Sequence, residues 1–544
     1  MSAFIFTRHR SAERSAERSA ERSAKKNLAA GRFCLALILC AAHVTNAAQD
    51  QPNIVFILTD NQPASLIGSY GNPDIRTPNI DALASEGVRF TRAYAVNGMC
   101  SPTRATLMTG LMPSQHGVHS WLDDQQLSKW PAGWNAVAEY RSLPLTLKNR
   151  GYETAMIGKW HLGKPDQPSL GFEHWLTFAD GHTEDFWDNE VIDNGEKYRL
   201  TGQHLVDFFT AKAIEYLARR NTGKPFYLQL NYDGPYLNPP TNLGPARNRH
   251  YQSYVGASFT SFPRVAFNPD QIAQLTDPNN KNTFIKGKIL QSLMMHNDPA
   301  TMANVASQNT MVDDGVGRIL RALDDLGLAD NTLIVFSSDQ GNFYGQYGLW
   351  QHIVVTQPSR PHEVPMNIPL IIRAPDGKGA GKVSELLVGQ YDIAPTILDY
   401  VGYGDVKFEN SPGRSFLFAI DTPDAPTPTN WVNQVYFEQE ETRGLRNEHY
   451  AYWERLETTG GPVLFDMRRD PEQQTNLAER PDYTRIKNSL QAELTQFFDE
   501  YSDPAYDLWG GGVAKGSVDR PEIFRALYGE QWQPTTPLKP AFEE

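Results

Sequence analysis

The 544-residue chain reads as an α/β protein: a doubly wound, mixed but mostly parallel central sheet flanked by helices, with a smaller C-terminal antiparallel-sheet subdomain. Three observations predict this. Asn53–Leu58 (Asn-Ile-Val-Phe-Ile-Leu) and Thr332–Ser338 (Thr-Leu-Ile-Val-Phe-Ser-Ser) are apolar runs of strand length without alternation, as strands covered on both faces require. Around them, segments of helical and strand character alternate, the pattern of a sheet wound on both sides by helices. After about residue 430 the pattern changes to short strands alone.

In chain order, Pro78–Val88 and Leu145–Arg150 have helical character, the second stopped by Gly151. Glu153–Ile157 is a strand. Gln203–Arg220 is an amphipathic helix with Leu205, Phe208, Phe209, Ala213, Tyr216 and Leu217 on one face, and Pro225–Leu230 is a strand. Residues 234–282, rich in Asn, Pro, Ser and Gly, are too long for an ordinary connection and read as a functional loop that selects substrate. Val312–Leu326 presents Val312, Val316, Ile319, Leu320, Leu323 and Leu326 on one helical face; Pro369–Ile372 is a strand and Asp392–Val401 a helix. Gln434–Glu438, Tyr450–Trp453 and Val463–Phe465 supply the antiparallel sheet. The last forty residues, with Gly510-Gly511-Gly512, read as an arm or a loose tail.

Residues 1–48 are set apart. A basic segment with a three-fold Ser-Ala-Glu-Arg repeat precedes the apolar run Phe33–Ala42 and small residues at Ala47 and Ala48, the layout of an export leader too short to span a bilayer. The domain plan is therefore leader 1–48, catalytic domain 49–432, and C-terminal subdomain with tail 433–544, in a secreted or periplasmic protein. Removal of the leader takes away Cys34 and Cys40 and leaves Cys100 as the mature chain's one cysteine, which excludes an internal disulfide. A formal charge of −13 argues against nucleic acid as a partner, so anion recognition has to come from a local cluster of bases.

The residues that carry chemistry are few. Cys100 precedes Ser101-Pro102 at the start of a helix, where free N–H groups and the helix dipole favour negative charge, and Arg104 lies one turn on. Position alone leaves two readings open, a reactive thiol and an ordinary buried one. The apolar strands end in Asp60-Asn61 and in Asp339-Gln340. Two carboxylates and two amides suit a hard cation, Ca²⁺ before Mg²⁺, although acids after strands also cap turns. Gly158-Lys159-Trp160-His161-Leu162-Gly163 follows a strand; Lys159 and His161 share one side if the chain stays extended, and an exposed loop with incidental charge is the alternative. His182 is a candidate near the substrate, with a backbone-bonded loop histidine as the other reading. His116 and His119 fit core packing.

Cys100-Ser101-Pro102-Thr103-Arg104, followed by Leu107, Thr109 and Gly110, resembles the C-x-P-x-R signature of the type I sulfatases, within the alkaline phosphatase superfamily. The likeness extends over roughly residues 50–480 and includes the Gly158–Gly163 segment and the closing stretch Leu464-Phe465-Asp466. It implies that a maturation enzyme oxidises Cys100 to formylglycine, whose hydrate is the nucleophile. It implies metal ligation by Asp60, Asn61, Asp339 and Gln340 together with residue 100, the converted Cys100. It further implies charge stabilisation by Arg104 and Lys159 and proton transfer by His161. The sequence departs from the family at Asn61, where a second Asp is more usual. Tyr236 stands where a histidine is expected, and His352 where a sulfate-binding lysine is expected; His352 is then the preferred proton donor to the leaving alcohol.

The implied activity is a sulfuric ester hydrolase acting on a sulfated glycan or an aryl sulfate. The alternatives are a phosphomonoester or phosphodiester hydrolase on the same fold, and a sulfated-glycan binding protein without catalysis.

Overall fold

A computed structural model describes residues 51–122, 124–182, 185–236, 241–353, 356–456 and 460–534. The leader lies outside the described residues. Residues 52–221 with 226–544 form one unit, to which everything below belongs; the other comprises residues 1–51 and the turn at 222–225.

The strands of the large sheet are β1 (Asn53–Thr59), β2 (Val88–Tyr94), β3 (Glu153–Gly158), β4 (His174–Phe178), β5 (Glu190–Asp193), β6 (Glu196–Arg199), β7 (Phe226–Asn231) and β8 (Thr332–Ser338). After the short hairpin of β9 (Phe343–Tyr344) and β10 (Trp350–Gln351) come β11 (Asn367–Arg373) and β12 (Lys382–Gly389). Their order is β12-β2-β11-β8-β1-β7-β3-β4-β5-β6. Pairing is parallel from β8 through β1, β7 and β3 to β4, while β11 is antiparallel to both of its neighbours and β5 and β6 continue the edge in antiparallel fashion.

The unalternating apolar runs have a simple cause. In β1, Ile54, Phe56 and Leu58 enter one core while Val55 and Ile57 enter the other; β8 divides Leu333 and Val335 from Ile334 and Phe336 in the same way. Both faces of the central strands are dry. The covering helices are α1 (Pro78–Glu86), α2 (Cys100–Thr109), α3 (Leu143–Asn149), α4 (Leu205–Arg219), α5 (Pro269–Thr276), α6 (Thr283–Met295), α7 (Pro299–Asp325) and α8 (Ile393–Tyr400). On α4 all six residues of the predicted face are buried.

A second sheet, β13 (Gln434–Gln439), β14 (Thr442–Asn447), β15 (Tyr450–Arg455) and β16 (Val463–Asp466), is an antiparallel meander. One face, with Ala451, Trp453, Val463 and Phe465, joins the large core; the other, with Leu445, Tyr452 and Leu464, packs on Leu490, Leu494, Phe497 and Phe498 of α9 (Thr484–Tyr501).

Three expectations change. The span after Gly234 is helical in its second half: α5 lies inside it and α6 starts at Thr283 under an Asn282 cap. The helix expected at 312–326 begins at Pro299, and it stops at Asp325, which leaves Leu326 39% exposed rather than on the buried face. The tail is packed through its described part, with Leu508, Ala514, Phe524 and Trp532 in a small apolar cluster.

Gly158 closes β3 at φ +114°, and a Cβ there would lie 1.8 Å from the Asn231 carbonyl oxygen of β7. Gly158→Ala is expected to lower stability by about 3 kcal/mol through this backbone clash and the left-handed φ. Urea unfolding should show a lower midpoint at unchanged slope.

Candidate active site

The carboxyl ends of β1 and β8 lie side by side, with Thr59 opposite Ser338, so Asp60-Asn61 and Asp339-Gln340 emerge at one place. There the Asn61 N–H donates to Asp339 Oδ1 at 3.1 Å. The start of α2 enters from above. Cys100 Sγ lies 3.7 Å from Asp60 Oδ1 and receives hydrogen bonds from Gln340 Nε2 at 3.1 Å and Lys159 Nζ at 3.6 Å. Residues separated by 40, 59 and 240 positions thus meet at one sulfur.

Helix α2 is buried along its whole length, so its first turn cannot drift toward solvent. Gly110 ends it at φ +69°. The approach to Cys100 is braced by β13: Gly98 N–H donates to Gln439 Oε1 at 3.1 Å, and Asn97 Nδ2 to the Glu438 carbonyl at 2.8 Å. The C-terminal sheet therefore positions the loop before Cys100.

Arg104, one turn into α2, is spent on orienting these groups. Its Nη2 bonds Asp60 Oδ2 and Asp339 Oδ2, each at 2.8 Å; its Nε reaches Asp339 at 3.1 Å, and Nη1 donates to the Lys159 carbonyl at 3.0 Å. Lys159 Nζ sits 2.7 Å from Asp60 Oδ2. Burial opposes charge on both bases, but Asp339 and Asp60 beside Arg104, and Asp60 beside Lys159, outweigh it and hold both protonated. Burial also opposes charge on the carboxylates. Lys159 and Arg104 prevail at Asp60 and keep it ionised, while at Asp339 burial and the Asp60 charge push the carboxyl up. Burial and Asp60 raise the Cys100 thiol well above its usual range.

The expected ligand set is together. Among the described residues, Asp60, Cys100 and Asp339 offer ligand atoms within 4.8 Å of one another, all buried. Asn61 Oδ1 accepts from Gln340 Nε2, and Gln340 Oε1 faces Thr103 Oγ1 at 3.4 Å. A half-turn of the Gln340 amide exchanges these roles and brings an oxygen to the centre, a change that the hydroxyl of Thr103 accommodates as donor or acceptor. Two crowded carboxylates with two amide oxygens fit a hard dication, which would relieve their mutual repulsion.

Opposite the oxygens stands a wall of rings. His161 stacks on His182 at 5.1 Å, His182 meets Tyr236 edge-on at 5.5 Å, and Tyr236 lies 6.1 Å from His352. Lys159 Nζ sits 4.5 Å from the Tyr236 ring centroid. His352 Nε2 is 3.4 Å from Asn61 Nδ2. Lys159 and His161 do not share a direction as an extended chain would have them: Gly158 at φ +114° and His161 at φ +58° turn the segment, and His161 Nε2 contacts the Leu122 carbonyl at 3.1 Å. Burial lowers all three histidines, His352 to about 4 and His161 and His182 well below the usual range, with the Lys159 charge adding to each. Nδ1 of His161 and of His182 is buried without a hydrogen-bond partner among the described residues. By contrast, His116 is held by Thr106 and Val118 in the core, as its sequence context predicts.

Two groups escaped the sequence reading. Asp233, buried, has Oδ1 3.8 Å from Lys159 Nζ, and its carboxyl is raised by burial. Its signal was available, since it lies in the strand-end segment that also carries Tyr236. Tyr344 Oη donates to the Asn61 carbonyl at 2.7 Å from the short β9, which carries no pattern of its own.

The chain is similar to known proteins over most of its length. The family model described as sulfatase matches residues 52–403, and that for the C-terminal region of N-sulphoglucosamine sulphohydrolase matches residues 358–500. The N-acetylglucosamine-6-O-sulfatase of Bacteroides thetaiotaomicron is 27% identical over 536 residues, covering 86% of this chain and 91% of that protein. The N-sulphoglucosamine sulphohydrolase of Homo sapiens is 26% identical over 537 residues, covering 87% and 94%. A solved structure in complex with its substrate D-glucosamine-2-N,6-O-disulfate has a TM-score of 0.64 at 24% identity, over 83% of this chain and 98% of that one, a likeness of fold. With one family model spanning more than half of its length, the chain belongs to the sulfatase family.

Proposed function

We propose that this sulfatase removes sulfate from a sulfated glycan, on an amino sugar bearing a sulfate ester, after Cys100 has been converted to formylglycine by a maturation enzyme. The observation that carries the reading is the convergence on Cys100 of Asp60, Lys159 and Gln340 within 3.7 Å. The two named relatives, each covered over more than nine-tenths of its length, both act by name on a sulfated glucosamine, and the first of them on its 6-O-sulfate ester. Residues 1–48 support export to the periplasm or the medium, and no helix among the described residues is long and apolar enough to cross a membrane.

Asp60, Asn61, Asp339 and Gln340 would hold the cation, with Ca²⁺ preferred over Mg²⁺ because the donors are oxygens on unequal side chains rather than an octahedral set. When bound, it would act as a Lewis acid toward the sulfate and lower the proton affinity of the nucleophilic hydroxyl. The hydrated aldehyde supplies two hydroxyls on one carbon, one to attack sulfur and one whose proton loss expels the sulfate. Lys159 holds sulfate oxygens as charge develops, an electrostatic contribution of the kind worth most in such sites. Arg104 keeps Asp60 and Asp339 in place. His352, whose buried imidazole is lowered to about 4 until the substrate's negative charge raises it, protonates the departing alcohol. His161, with its unpartnered Nδ1, receives the proton from the second hydroxyl.

Mass analysis of the peptide around Cys100 from native material should show the aldehyde, and a desulfation screen over sulfated sugars with matured enzyme should show release of sulfate. Unmodified thiol with no release would remove the proposal. A Cys100→Ser variant should lose steady turnover and accumulate a sulfated form visible in its intact mass, because a serine ester offers no second hydroxyl for expulsion; sustained turnover by that variant would count against the scheme. Chelation should lower activity by about 100-fold or more, and Ca²⁺ should restore it better than Mg²⁺. His352→Ala should slow a sugar sulfate by about 100-fold or more while sparing 4-nitrophenyl sulfate, whose leaving group needs no proton. Equal losses on both substrates would assign His352 another task.

A further inference from the structure

Helix α6 brings a second set of groups to the site, and none of them belongs to the sulfate-handling machinery above. Phe284, Lys288 and Ser292 stand four residues apart and so form one stripe along the helix. That stripe faces the segment carrying His352: Ser292 Oγ bonds the Trp350 carbonyl, and Gln351 Nε2 donates to the Lys288 carbonyl at 3.0 Å. The adjacent stripe, Ile285 and Ile289, packs on Met99, next to Cys100. The helix is therefore wedged between the two segments that deliver Cys100 and His352.

At its outer end the stripe is open. Phe284 is 47% exposed and its ring lies 5.4 Å from that of Trp121, a residue adjacent to the Leu122 carbonyl that meets His161. Lys288 Nζ is 5.6 Å from the Phe284 ring centroid, and its charge is felt at both His352 and His182. An exposed aromatic surface and an ammonium, side by side at the edge of a sulfate site, match the two features of a charged sugar: an apolar ring face and anionic substituents.

We propose that Phe284 and Lys288, with Trp121 beside them, form a subsite for the saccharide, the sugar ring lying on Phe284 and the ammonium pairing with a second anionic group of the glycan. This rests on the glycan-sulfatase reading and deepens it: the substrate carries at least one anion besides the sulfate that is removed.

The test uses the full chain with Cys100→Ala, which binds without turnover, and two probes in isothermal titration: inorganic sulfate and a heparin-derived disaccharide bearing a 6-sulfate, an N-sulfate and a uronate carboxylate. Lys288→Ala should weaken the disaccharide about tenfold or more, the scale of a lost charge-assisted contact, and leave inorganic sulfate within about twofold. Lys288→Arg should restore most of the affinity, and Phe284→Ala should weaken the disaccharide alone. Disaccharide affinity unchanged by Lys288→Ala would overturn the subsite, as would equal loss on both probes, which would place Lys288 on the transferred sulfate. No binding of the disaccharide by the Cys100→Ala chain would overturn it too. The parent reading is judged apart from this, by sulfate release from 4-nitrophenyl sulfate by the matured wild-type enzyme.

Discussion

The buried ionic cluster of Arg104 with Asp60, Asp339 and Lys159 is the constraint on which the site depends. Four charged side chains, each at most 2% exposed, sit where water cannot solvate them. Each stays because the others pair with it; removing one partner from such a cluster typically costs about 3–5 kcal/mol. The cluster ties the ends of β1 and β8 to the first turn of α2 and to the end of β3. It fixes four segments distant in sequence to one another before any ligand arrives. This is preorganisation, obtained by spending the guanidinium of Arg104 on carboxylates instead of on substrate.

Around that cluster the backbone is held in uncommon conformations. Asn61, His161 and Gln351 all have positive φ, and lie within two residues of Asp60, Lys159 and His352 respectively. Such residues cost of order 1–3 kcal/mol apiece and persist only where surrounding structure dictates them. Here the carbonyls of Asn231, at the end of β7, and of Gly234 just beyond it fix Lys159 and Asp60 by main-chain bonds, while β13 fixes the loop before Cys100. The C-terminal sheet is thus part of the site's support, through the Gln439 side chain and the Glu438 carbonyl.

The groups around residue 100 form two unlike sides. One is made of oxygens and bases, suited to a cation and a sulfate; the other is made of imidazoles and Tyr236, suited to proton movement and to the body of the substrate. The replacement of a usual lysine by His352 reduces positive charge on the second wall. Lys288 of α6 returns a charge to that neighbourhood from a different element, farther out along the entrance.

The sequence by itself determined the frame. Residues that alternate between two dry cores produced the unbroken apolar runs of β1 and β8, so strand identity and the acid-amide pairs at their ends were readable from local pattern. The Cys100 motif, the Lys159 segment and the face of α4 were equally local. What tertiary structure decided lay where local pattern is silent. The first half of α7 buries Asn304, Gln308 and Asn309 with hydrogen-bonded partners, which erases the apolar stripe that announces a helix. Helix α6 is apolar on exposed Leu290, Leu293 and Met294 as well as on buried Ile289, so no period marks its inner face. The turn at Gly158 and His161, the pairing of Asp233 with Lys159, and the reach of Lys288 toward His352 depend on which distant strands lie side by side. Periodicity along a chain reports which side of an element is dry; which charges then share a dry place is set by strand order, and only the folded protein contains it.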